Sequence, residues 1–336
     1  MKIIKKYFTA IFLVLVLFTV LSVIYLYTSP NSLKGEIYIK SSDNSDSLVA
    51  QLKKNNCIKS EFTFKLALKI LKLKKTYGGM YKIDEGLSNY ELIKIFKTGR
   101  QSDISFRFGS NIFSNELFGM LGNKFEADSV EFANAILNSN KLEALGLDSQ
   151  SCLALFWADT YFFPWSSKPE KLVDFFVNDQ QLFWNTERMQ KLAESGFKNT
   201  KDVYILASIV EKEAVKKVEM PAIAGVYINR LKKGMLLQAD PTVKYANGIR
   251  NMSRVRGILD TNSLYNTYIF KGLPPGPIGT CTKAAIDSVL NFKKHNFLYF
   301  CAKDDFSNYH NFAETFAQHR LYAARYREAL NKKGIK

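Results

Sequence analysis

Residues 202–217 read DVYILASIVEKEAVKK, and this stretch decides how the second half of the chain is read. At about 100° per residue, Val203, Leu206, Ala207, Val210 and Ala214 fall on one stripe, which predicts a helix over Asp202–Lys217 with one face against a core. Two glutamates ride on it at different angles. Glu213 lies on the side of the stripe above the turns carrying Leu206 and Ile209, slightly nearer its centre than Glu211 on the other side, and Lys212 points nearly opposite. Glu213 is therefore the more buried carboxyl. Burial disfavours the charged form, so such a group keeps its proton near neutral pH and can serve as a general acid. The structural alternative is an edge glutamate paired with Lys216 or Lys217. Residues two apart face different ways, so Glu211 and Glu213 do not form the facing carboxylate pair of an ordinary glycosidase.

Outward from this helix, Val226–Leu231 reads as helical with Gly234 ending it, and Leu237–Val243 reads as extended before Pro241. Tyr265-Asn266-Thr267-Tyr268 follows, then Leu273-Pro274-Pro275-Gly276-Pro277. A Pro-Pro-Gly-Pro loop is stiff and holds backbone groups against a ligand at little ordering cost; equally, it makes a rigid turn. Phe297–Phe300 reads as a buried strand with Tyr309–Phe312 as its returning partner, and His310 is either a substrate contact or a satisfied structural histidine.

In the first half, Glu36–Ile39 alternates as a strand, Ser47–Lys54 and Thr63–Leu73 read as helices, and Gly78–Ile83 follows before a Ser-capped helix over Ser88–Thr98. Strand, helix, helix, strand is the expected order of a small α+β module. Ser105–Arg107 reads as a further strand, and Asn111–Leu121 and Ser129–Leu137 as helices. Trp157, Phe162, Phe163 and Trp165 either line a sugar cleft or pack a core.

Ahead of all this, Phe8–Tyr27 is an uncharged apolar run of twenty residues, about the length that spans a bilayer as a helix. Lys2, Lys5 and Lys6 precede it and no acidic residue occurs before Glu36, so the positive-inside rule leaves a short stub in the cytoplasm and exports the rest. A cleaved signal peptide is the alternative, but its apolar core is shorter and ends in small residues, whereas Thr28–Leu33 reads TSPNSL. The chain has 336 residues, 47% hydrophobic, and a net charge of +16, which excludes a disordered or fibrous chain. With the three anchor lysines set aside the charge is +13, which suits an anionic envelope polymer; export argues against nucleic acid. Cys57, Cys152, Cys281 and Cys301 are widely spaced without any C-x-x-C, and His295, His310 and His319 are too few and isolated for a metal site, so no metal and no cofactor are expected.

Taken in order, these segments resemble the YceG-like family of membrane-anchored endolytic murein transglycosylases. The resemblance rests on Ala207–Glu213 (ASIVEKE), Val226–Leu231 (VYINRL), Gln238–Val243 (QADPTV), Tyr265–Tyr268 (YNTY), Gly272–Ile278 (GLPPGPI), and Leu298–Phe300 with His310 and Phe312. Ala158–Phe163 is similar to the family's Pro-Asp-Thr-Tyr element with alanine for proline. The chain departs at Gly279–Thr282, where an Asn-Pro-Gly type sequence is usual, and at Phe106–Ser110, which lacks an acidic-Gly pair. The resemblance implies an α+β protein: a stub over 1–7, a transmembrane helix over 8–27, a small LysM-like domain over 28–105, and a larger catalytic domain over 106–336 with its motif core at 201–320. It implies cleavage within peptidoglycan glycan strands by Glu213 as acid/base, without a cofactor. Glu211, Asn229, Arg230, Gln238, Asp240, Tyr265, Asn266, Pro274, Pro275, Gly276 and His310 are then the expected substrate contacts. The implied partners are glycan strands and the bacterial inner membrane, with peptidoglycan synthases as candidates, and the bulk of the chain is periplasmic or extracellular. The competing class is a non-catalytic, membrane-tethered peptidoglycan-binding or scaffold protein.

Overall fold

The computed structural model describes residues 2–73, 75–110, 112–250 and 256–334. The chain divides into two units, the first made of 1–106 with 124–127 and 162–167, the second of 107–123, 128–161 and 168–336.

The first unit begins with α1 (Lys2–Thr28). Within it Lys6–Tyr25 is long and apolar enough to cross a membrane, with a mean hydropathy of 2.7 and its side chains facing outward. Then come β1 (Gly35–Ile39), α2 (Ser45–Lys54), α3 (Glu61–Leu71), β2 (Gly79–Ile83), α4 (Asn89–Thr98) and β3 (Asp103–Arg107). β1 and β2 pair antiparallel with Ile37 opposite Tyr81. Ile37 and Ile39 point inward while Glu36 and Tyr38 point out, the period of two that a half-covered strand requires. They pack with Leu48, Leu52, Phe64, Leu92 and Phe96 from the helices into one core. Ser88 caps α4 in a reciprocal box with Glu91.

The rest of the chain contains α5 (Ser114–Gly122), α6 (Ser129–Leu137), α7 (Asn140–Ala144), β4 (Thr160–Pro164, which pairs with β3 and belongs to the first unit from Phe162 on), α8 (Pro169–Phe183), α9 (Thr186–Ser195), α10 (Thr200–Glu213), α11 (Met220–Lys232), α12 (Asp240–Ala246), α13 (Lys283–Leu290), β5 (Tyr299–Ala302), β6 (His310–Ala313) and α14 (Phe316–Lys332), all but that part of β4 in the second unit. The helix expected from Asn111 begins at Ser114, and Asn111 itself lies outside the described residues. Trp157 and Phe163 are buried, whereas Phe162 is 65% exposed.

Three differences from the sequence reading shape the site. First, α10 is not a one-sided helix: all eight residues from Val203 to Val210 are buried, because α11, α12 and α13 pack around it. It also stops at Glu213, where Ala214 turns extended, rather than at Lys217. Second, Leu237–Val243 is not a continuous extended stretch: Asp240 opens α12 with Pro241 in its first turn, where the missing N–H costs nothing. Third, β5 and β6 pair as expected, Phe300 opposite Phe312, but β5 is half-buried along its length. All four cysteines are free thiols.

Candidate active site

Asn199 caps α10, its side chain accepting from the Asp202 N–H at 2.8 Å, and the helix carries Glu213 out of the core on its last turn. There Glu213 lines a cavity of about 290 Å³ with Tyr227, Arg230, Leu237, Gln238, Asp240, Tyr268, Phe300 and His319. The carboxyl is half-buried: protein surrounds it, yet it opens on the cavity. Burial, reinforced by the charge of Asp240, raises it to about 7. The Tyr227 hydroxyl donates to Glu213 Oε1 at 3.2 Å and works against that rise. Among the described residues no ion pair joins Glu213 to Lys216 or Lys217, because the helix ends before they can fold back onto it.

Arg230 forms the floor. Its guanidinium donates to the carbonyls of Leu298 at 2.6 Å and Leu237 at 2.8 Å, and lies 5.2 Å from the Tyr299 ring centre. Desolvation lowers its pKa from the ordinary value. Gln238 stands at the mouth with φ 50, a left-handed conformation uncommon outside glycine, Asn and Asp. Its backbone is held there by an N–H donated to the Thr267 carbonyl at 3.0 Å. Asp240 accepts from the Tyr268 hydroxyl at 2.5 Å. Together these groups offer a protonated carboxyl, a second carboxyl and a cation in one space, which suits acid cleavage of an ether-type bond with stabilisation of a cationic carbon.

The structure brings Glu213, Arg230, Gln238 and Asp240 together and puts the other expected residues elsewhere. Glu211 turns away, its Oε2 accepting from the Thr282 N–H at 2.7 Å at the start of α13, and burial raises its pKa. The Asn229 amide donates to the carbonyls of His295 at 2.7 Å and Phe297 at 3.0 Å, pinning that turn. Asn266 is fully buried and donates to the carbonyls of Leu259 and Thr261, at 2.9 and 2.8 Å. His310 meets the buried carboxylate of Glu219, Nδ1 to Oε2 at 2.9 Å, so it is a structural histidine. Pro274 and Gly276 are buried, Pro275 is half-buried, and a Cβ on Gly276 would stand 2.1 Å from the Gln150 carbonyl and 2.8 Å from the Tyr265 hydroxyl. Tyr265 packs there and against Tyr245 at 4.8 Å, so the proline loop and Tyr265 brace the wall rather than line the cavity.

Tyr227, Tyr268, Leu237, Phe300 and His319 line the cavity without having been singled out as substrate contacts. Tyr227, Tyr268 and Phe300 sit inside the quoted motifs, so a signal existed; His319 arrives from α14, distant in sequence. Gly279–Thr282 and Phe106–Ser110 meet each other: the Thr280 hydroxyl donates to the Gly109 carbonyl, and a Cβ on Gly279 would lie 3.1 Å from the Ser110 carbonyl oxygen.

The YceG-like family model matches residues 37–325. The chain belongs to the YceG-like family. This YceG-like chain is 26% identical over 322 residues to the endolytic murein transglycosylase of Bacillus subtilis (strain 168), a match covering 88% of this chain and 86% of that protein. It is 34% identical over 152 residues to the endolytic murein transglycosylase of Streptococcus pneumoniae (strain ATCC BAA-255 / R6), covering 43% of this chain and 26% of that one. Its fold is similar to the crystal structure of a yceG-like protein of Listeria monocytogenes, with TM-score 0.58 and 21% identity over 86% of this chain and 98% of that one.

Proposed function

We propose that this YceG-like chain is an endolytic lytic transglycosylase that cleaves the bond between N-acetylmuramic acid and N-acetylglucosamine within peptidoglycan strands. The observation that carries the reading is the Glu213 carboxyl, open to a cavity and raised to about 7, so that it holds a proton where the reaction needs one. Glu213 gives that proton to the glycosidic oxygen as the bond to the muramyl C1 breaks. The resulting carboxylate takes the proton of the muramyl 6-hydroxyl as O6 bonds to C1, closing a 1,6-anhydro ring and regenerating the acid. Asp240, which shares the cavity, supplies negative charge beside the cationic carbon, and Tyr227 fixes one oxygen of Glu213. A tethered hydroxyl competes at high effective molarity with water.

The apolar α1 supports a single-pass anchor, and Lys2, Lys5 and Lys6 before it support export of the rest to the outer side of the inner membrane. The small first unit then contributes glycan binding, and synthases of the polymer are candidate partners. One observation favours a second reading: two carboxyls, Glu213 and Asp240, share a cavity, as in hydrolases that activate water. Product analysis separates them. The full chain in detergent, incubated with glycan strands in ¹⁸O-labelled water, is expected to leave 1,6-anhydromuramyl ends free of ¹⁸O; reducing ends carrying ¹⁸O would establish hydrolysis instead.

A further inference from the structure

A second cavity of about 260 Å³ lies on the other side of α12, lined among others by Phe113, Glu211, Lys212, Lys244, Tyr245 and Arg250. Three cations and one carboxyl line it, and that carboxyl, Glu211, is engaged by the Thr282 N–H at 2.7 Å. Arg250 is shared with Glu116, and the Lys212 ammonium also lies 5.6 Å from the Phe113 ring centre. Burial and the neighbouring Arg250 lower Lys212 to about 8, the expected effect of crowding cations away from water. An anion seated there relieves that crowding. Phe113 and Tyr245 meet edge to face at 4.9 Å and give the cavity an apolar side.

The two cavities share their walls. α10 sends Glu213 into one and Lys212 into the other; α12 sends Asp240 into one and Pro241 and Lys244 into the other. Lys244 is near enough for its charge to act on Glu213. Resting on the function proposed above, a glycan whose muramyl C1 reaches Glu213 carries a peptide stem on the lactyl ether of the same ring, a few ångströms from the cleaved bond. The stem's free carboxylates are the anions such a strand offers, and its alanine methyl groups match an apolar side. We propose that the cavity between Lys212 and Lys244 is a carboxylate subsite that holds the peptide stem of the muramyl residue, so that the chain selects strands bearing stems over stripped ones.

Binding, not turnover, tests this, so failure of the proposed reaction is seen separately in the product analysis. Full-length Glu213→Gln in detergent is titrated with glycan strands bearing stems, with strands stripped by an amidase, and with strands whose stem carboxylates have been converted to amides. Stem-bearing strands are expected to bind at least about tenfold tighter than the other two, the scale of a desolvated charge-assisted contact. Adding Lys212→Gln or Lys244→Gln is expected to bring that ratio to about twofold or less. Equal affinity for all three ligands overturns the assignment without requiring any further variant to fold. Preference that survives both lysine variants also overturns it, as does inorganic phosphate competing as well as the free stem peptide, which would mark a general anion site.

Discussion

Glu211 and Glu213 stand two positions apart at the end of α10 and their carboxyls serve different cavities: Glu211 anchors the Thr282 N–H at 2.7 Å, while Glu213 receives the Tyr227 hydroxyl at 3.2 Å. At about 100° per residue, two steps rotate a side chain by about 200°, so one helix end supplies both a fastening and an acid. Glu213→Gln keeps the shape and the contact with Tyr227 but has no proton to give. It is expected to lower turnover by about 10²–10⁴, with a melting temperature unchanged only below about pH 4.5, where wild-type Glu213 is protonated in both the folded and the unfolded chain. Glu211→Ala leaves the Thr282 N–H without its acceptor and is expected to cost about 1–3 kcal/mol of stability, read by denaturant unfolding, with a smaller loss of turnover.

Because the reaction starts from protonated Glu213, kcat/KM is expected to be high below about pH 7 and to fall above it. Asp240 raises this pKa and Tyr227 lowers it, so their variants move the alkaline limb in opposite directions: Asp240→Asn to lower pH, Tyr227→Phe to higher pH. A limb that stays in place in both variants would show that another group limits the rate.

The same shift has a stability consequence with a definite sign. Between about 4.5, the ordinary value, and about 7 the unfolded chain has released a proton that folded Glu213 still holds. This group's contribution is therefore complete below that window and lost as pH rises through it. Glu213→Gln removes the dependence, so its stability relative to wild type is expected to rise by about 1–3 kcal/mol between pH 4.5 and pH 8. Paired urea unfolding curves at the two pH values measure it.

Local sequence singled out Glu213, the proposed acid, but not most of the residues that share its cavity. A helix carrying Glu-Lys-Glu was legible from its apolar stripe, which set a rotation for Glu213, but not its stop at Glu213 or the burial of its whole middle. Asn229, Asn266 and His310 were expected at the substrate because the family resemblance implies it. In the structure the two asparagines donate to nearby backbone carbonyls, and His310 pairs with Glu219, because a buried polar group must find some partner and the chain itself is closest. His319 and Phe300 reach the cavity from the far end of the sequence, and no local period encodes that meeting. Pro241 was read as the end of an extended segment, whereas the first turn of a helix accommodates it equally well.

Arg230 shows how far the cavity depends on one buried cation. Its guanidinium reaches the Leu298 carbonyl from one N–H and the Leu237 carbonyl from another. A lysine is a single point of donation and cannot reproduce the fork. Arg230→Lys is expected to destabilise the fold by about 2–4 kcal/mol, because at least one buried carbonyl loses its donor. Unfolding without that loss would mean water replaces the guanidinium.

The proline loop gives the sharpest choice between holding substrate and holding the protein. A Cβ on Gly276 would lie 2.1 Å from the Gln150 carbonyl oxygen, a backbone atom that cannot swing aside, so Gly276→Ala must displace the loop. Two residues on, the Ile278 N–H donates to Ser208 Oγ at 3.1 Å, and Ser208 sits on α10 one and a half turns before Glu213. Displacement of the loop therefore pulls on the helix that carries the acid. Gly276→Ala is expected to lower stability by several kcal/mol, on the order of the larger overpacking penalties, and to lower kcat together with stability while KM changes little. A variant with wild-type unfolding and a raised KM would instead assign the loop to the sugar, as its stiffness first suggested.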